Sequence, residues 1–199
     1  MKPIEIPRMR RPRERLTIAD TLVLVAVTAS GLLGVRFAAE LGLFDKDIFR
    51  NAPLGRMSIE NLIIFGGPVL VAWTLAVLIL SLWQSWPTLR HVARRPGFIA
   101  CVMVVVALVD RGTYFAIRVK TDGGPINDRI SLHLANSLLT LPEFVGLLIS
   151  GAWLALVLSG KWRRRPTGVD RVGCLLGLCW LAIFLANEVY FVVLLPLML

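Results

Sequence analysis

GFIACVMVVVALVDRGTYFAIRV, residues 97–119, decides the fold. Uncharged as far as Val109, the stretch is long enough as a helix, at about 1.5 Å per residue, to cross a hydrocarbon core about 30 Å thick. In lipid the backbone must satisfy its own hydrogen bonds, so such a segment reads as a transmembrane helix. Asp110 and Arg111 interrupt it. A charge at the centre of a span costs at least about 2.5 kcal/mol on insertion scales and is rarely kept without a partner or a task.

Four more runs of the same kind flank it, at about 17–43, 59–86, 137–159 and 172–198. The chain is expected to be an all-α polytopic membrane bundle of about five spans. A basic, disordered tail (1–16) precedes a single membrane domain (17–199). Hydrophobic residues make up 56% of the 199-residue chain, above the roughly half typical of soluble domains. The net charge of +9 belongs to span-flanking loops, and no basic-aromatic interleaving points to nucleic acid.

Charge counting sets an orientation. Fourteen Lys and Arg fall on the side of the tail, the second loop (Arg90, Arg94, Arg95) and the fourth loop (Lys161, Arg163, Arg164, Arg165, Arg171). Six fall on the other side, and Arg36 and Arg111 lie within spans. Cytoplasmic loops are enriched in these residues, so the N-terminus is expected inside and the C-terminus outside. Val27-Thr28-Ala29 resembles a signal-peptide cleavage site. Asp20 interrupts the early apolar stretch and hydrophobicity continues past Ala29, which favours an uncleaved anchor.

Within the runs, Gly31 with Gly34, Gly146 with Gly151, and Gly173 with Gly177 mark expected close helix contacts, since small residues let helices approach in lipid. Gly66-Gly67-Pro68 and Pro142 predict kinks. Asn127 is a candidate helix cap, and 127–141 reads either as an interfacial helix or as the outer extension of the fourth span. Cys101, Cys174 and Cys179 read as small packing residues.

The intramembrane polar residues fall in one outer zone. Arg36 and Glu40 are four apart and can pair. Asp110, Arg111 and Tyr114 lie on the third run, Glu143 on the fourth, and Asn187 with Glu188 on the fifth. Glu60 marks the outer start of the second run and Asp20 the cytoplasmic edge of the first. Adjacent residues on a helix point about 100° apart, so Arg111 is expected to reach Glu143 or Glu188 rather than pair ideally with Asp110. Arg36, Glu40, Asp110, Arg111, Tyr114, Glu143, Asn187 and Glu188 thus form a candidate polar layer or cavity.

No catalytic residue, metal site or cofactor is assigned. His91 and His133 are too far apart to act together and read as solvated surface. There is no H-E-x-x-H, P-loop or G-x-S-x-G pattern. Three functions are carried forward: a non-enzymatic accessory or structural membrane protein, a small proton-linked carrier titrating through Glu143 and Glu188, and, least supported, an intramembrane enzyme. The partners implied are the lipid bilayer and, for an accessory role, a membrane protein or a second copy of the chain.

The Arg-rich tail running into Leu16-Thr17-Ile18-Ala19-Asp20 and an apolar helix resembles the start of uncharacterised multi-pass membrane proteins of planctomycete-type bacteria. That resemblance implies a bacterial inner-membrane location and carries no activity.

Overall fold

The structure is a computed structural model that describes residues 18–40, 54–85, 94–123, 125–160, 162 and 168–189. The expectations for the tail, for His91, for most of the loop arginines and for the end of the fifth run lie outside these residues, as do the side chains of Asp20, Glu60 and Asn127. Five helices make up the described chain: α1 (Ile18–Glu40), α2 (Leu54–Ser85), α3 (Pro96–Thr121), α4 (Ile126–Leu158) and α5 (Gly168–Val189). Phe65–Trp83, Pro96–Thr121, Arg129–Leu158 and Gly168–Val189 are long and apolar enough to cross a membrane, and Val25–Phe37 of α1 is a shorter apolar stretch.

Helices α2 to α5 all pack on one another, while α1 lies chiefly against α2. Their shared core joins Ala100, Val104 and Ala107 of α3 to Leu141, Val145 and Ile149 of α4 and Trp180 of α5. The Trp180 indole is turned toward Thr74 of α2, at 3.4 Å. Large apolar side chains also cover the outside: Leu32, Phe37, Val109, Leu147, Leu154 and Leu175 are all exposed. Apolar surface on this scale is unusual for a water-soluble monomer and matches a lipid-facing bundle.

Both prolines sit inside unbroken helices, Pro68 in α2 and Pro142 in α4. Pro142 is fully buried. Because α4 runs continuously from Ile126, the segment 127–141 is one helix with the fourth run and not a separate interfacial element. Its 33 residues span about 50 Å, well over the hydrocarbon thickness. Pro125 rather than Asn127 occupies the cap position, which corrects that expectation.

Glycine placement explains the close pairings. A Cβ on Gly31 would lie 2.9 Å from Cα of Val69, and one on Gly34 would lie 3.3 Å from Cβ of Pro68. Trp73 of α2 also donates to Thr28 Oγ1 of α1 at 3.0 Å. Cysteines at Gly34 and Pro68 would have their Cβ atoms near the roughly 3.5–4.5 Å of disulfides and are expected to cross-link on mild oxidation. Adding Gly31→Val should abolish that cross-link by lifting α1 from α2. If the cross-link persists at full yield, the α1–α2 contact is not built on Gly31. Gly146 faces the Phe184 ring, whereas a Cβ on Gly151 would meet nothing within 4 Å, so Gly151 makes no close contact among the described residues. Cys101 is buried and Cys179 is exposed, so the packing role expected of all three cysteines does not extend to Cys179.

Candidate functional site

Helices α3 and α4 form an antiparallel hairpin that turns back between the end of α3 at Thr121 and the start of α4 at Ile126. Along α3, Arg111, Tyr114 and Arg118 recur every three or four residues on one face, and Asp122, the residue that caps the helix, continues the spacing. Along α4, Arg129, His133, Ser137, Thr140 and Phe144 recur likewise. These two stripes meet in a polar seam through the half of the hairpin nearer its turn.

At the deep end, the Arg111 guanidinium carbon lies 3.3 Å from the centre of the Phe144 ring, a cation–π contact in place of an ion pair with a glutamate. Its Nη1 reaches Thr140 Oγ1 at 3.3 Å, and its Nε is 3.4 Å from Asp110 Oδ2. Toward the turn, Arg118 Nε donates to the Tyr114 hydroxyl at 3.2 Å and Arg118 Nη1 lies 3.8 Å from Asp122 Oδ1. The other Asp122 oxygen is 2.8 Å from His133 Nε2. His133 is only 9% exposed, so it is not the solvated surface residue expected from its place before the fourth run. The reason is the early start of α4, which places His133 two turns inside a packed hairpin.

Helix α3 is held at both ends by side chains of its neighbours. Arg129 of α4 donates through Nη1 to the carbonyls of Val119, at 2.9 Å, and Asp122. These carbonyls belong to the C-terminal end of α3, where a cation is favoured. At the other end, Asp170 of α5 accepts from the backbone N–H groups of Gly97 (2.9 Å) and Phe98 (3.3 Å) through Oδ1. A carboxylate there complements the positive end of the helix dipole and satisfies donors with no partner inside the helix. Trp153 of α4 closes the same region by donating to the Pro96 carbonyl at 3.0 Å.

The other expected site residues are distributed differently. Arg36 and Glu40 pair at 2.9 Å, both exposed on α1, away from the seam. Gly146 against Phe184 and Gly177 against Trp153 set the α4–α5 register, which brings Glu143 level with Asn187 and Glu188. All three are half-buried, and among the described residues no hydrogen bond or ion pair joins any of them to Arg111. Arg111 therefore turns to the α4 face carrying Thr140 and Phe144, not to the α4–α5 boundary. Asp170 had no place in the expected site, because it precedes the apolar run and reads as a loop residue. Its spacing of three and seven from Gly173 and Gly177 was the available signal. Among the described residues no group of three or more His, Cys, Asp or Glu is placed to hold a metal ion.

No protein-family model matches the chain, and no curated protein or solved structure is significantly similar to it. The class therefore rests on the fold: this is a multi-pass helical membrane protein.

Proposed function

We propose that the protein is a non-enzymatic component of a bacterial inner membrane, an accessory or structural subunit. In this reading it has five spans, N-terminus inside and C-terminus outside, and its polar seam fixes the α3–α4 hairpin. The supporting observation is that the Arg111 guanidinium, inside a helix long and apolar enough to cross a membrane, is engaged by Phe144, Thr140 and Asp110 of that hairpin. A carrier built on Glu143 and Glu188 needs a counter-charge beside them, and Arg111 is turned elsewhere.

Glu143→Gln and Glu188→Gln are expected to insert and fold with stability within about 1 kcal/mol of the parent, as for substitutions that break no buried contact. Arg111→Ala should cost about 1–2 kcal/mol through loss of the ring contact and its hydrogen bond. Detergent thermal unfolding reads all three. A pH-dependent flux in proteoliposomes, abolished by either glutamine variant while folding is retained, would establish the carrier instead. Purification in mild detergent should yield a stoichiometric membrane-protein partner, and a lone monomer counts against the accessory role.

A further inference from the structure

Asp110 lies on an exposed face of a helix long and apolar enough to cross a membrane. Its side chain is 56% exposed, against 14% for Arg111 beside it. The 26 residues of α3 cover about 38 Å, so centring the helix on a hydrocarbon core of about 30 Å leaves Asp110 about 12 Å deep. An aspartate lacks the long stem by which lysine and arginine reach the interface from such a depth. Arg111 Nε lies 3.4 Å from one Asp110 oxygen without forming a hydrogen bond to it, since the guanidinium is drawn toward Phe144 and Thr140. Among the described residues nothing donates a hydrogen bond to this carboxylate.

Val106, Val109, Thr113 and Ile117 share this face of α3 with Asp110, and all four are exposed. The polar atoms on the face accept hydrogen bonds and do not donate them. Thr113 gives its hydroxyl hydrogen to the Val109 carbonyl at 2.7 Å, which leaves its oxygen as an acceptor one turn from the carboxylate. A side chain that only donates, Lys or Arg, complements this pair, and a charge held in hydrocarbon calls for such a partner. A second copy of the chain supplies none. Packing α3 on α3 would oppose two Asp110 carboxylates. The cations within the chain's own apolar runs are engaged already, Arg36 by Glu40 at 2.9 Å and Arg111 by Phe144 and Thr140. We infer that this face of α3 docks a transmembrane helix of a different protein, whose Lys or Arg pairs with Asp110 inside the membrane. The inference rests on the accessory role proposed above and gives that role a surface and a partner chemistry.

The test uses the full-length chain in proteoliposomes, with an acceptor fluorophore on an appended tag. The probe is a synthetic single-span polyleucine helix carrying a donor fluorophore and one central lysine, and the reference is the same helix without the lysine. Energy transfer reads association. The lysine helix is expected to bind the parent about tenfold more tightly than the reference, the scale of interhelical hydrogen bonds in model peptides. Asp110→Leu should bring the two helices level. Val106→Trp keeps the carboxylate and obstructs the face one turn away. It should have the same effect, and it stands if Asp110→Leu does not fold. Leu147→Trp, at an exposed position of α4, should bind as the parent does. Equal preference for the lysine helix in the parent and in Asp110→Leu overturns the docking face. Energy transfer between two differently labelled copies of the chain, abolished by Asp110→Leu, would put a second copy there and overturn the foreign partner. Loss of the lysine preference in the parent tells against this face alone. A lone monomer on purification, with that preference intact, tells against the accessory role and upholds the face.

Discussion

Asp170→Ala is expected to be the most damaging single polar substitution in the protein. The carboxylate is 3% exposed and bonds the Gly97 and Phe98 amides. Truncation strands two donors at a buried helix end, each worth about 1–3 kcal/mol, so a combined loss of about 2–6 kcal/mol is expected. Asp170→Asn keeps an acceptor of the same shape but no charge, and charge-assisted bonds are roughly twice as strong as neutral ones. It should lose about half as much, which separates hydrogen bonding from charge. Unfolding in detergent, followed by circular dichroism, gives the order parent, Asp170→Asn, Asp170→Ala. An alanine variant as stable as the parent would show that α3 does not depend on this contact.

Gly97→Ala is expected to be comparably severe for a different reason. Its Cβ would press on the Asp170 carbonyl oxygen, 2.8 Å from Asp170 Oδ1 and 2.9 Å from the Cys174 amide nitrogen. Gly173 meets the same contact from the other side, its Cβ falling 2.8 Å from the Gly97 carbonyl oxygen. The Asp170 carbonyl oxygen and the Cys174 nitrogen are backbone atoms, which cannot rotate away, so α3 and α5 must separate. A cost near the top of the roughly 1–3 kcal/mol range for overpacking is expected, with the Asp170 bonds lost as well. Gly151→Ala is the matched control, since open space surrounds that position. It should be neutral or slightly stabilising, as alanine is the better helix former. Equal stability of Gly97→Ala and Gly151→Ala would rule out the close approach.

Much of the architecture is legible from local pattern. The apolar runs at 97–119 and 172–198 are helices where the structure describes them, because length and hydrophobicity are properties of each segment alone. The i, i+4 pair Arg36–Glu40 is legible for the same reason, both partners lying on one helix. The candidate site is less so. His133 reads as surface until α4 is known to begin at Ile126, and Asp170 reads as loop until α5 is known to begin at Gly168.

By itself, then, the sequence determined a helical membrane chain with charges set unusually deep, since the cost of burying charge and the length of an apolar run need no knowledge of neighbours. Only the tertiary structure decided which partner each charge takes. Each residue turns a helix by about 100°, so contacts between helices depend on rotation and register that no single run contains. Close approaches at Gly97, Gly146, Gly173 and Gly177 set those quantities here. They turn Arg111 onto Phe144, bring Asp170 to the start of α3, and gather GFIACVMVVVALVDRGTYFAIRV into the middle of the bundle, held at both ends.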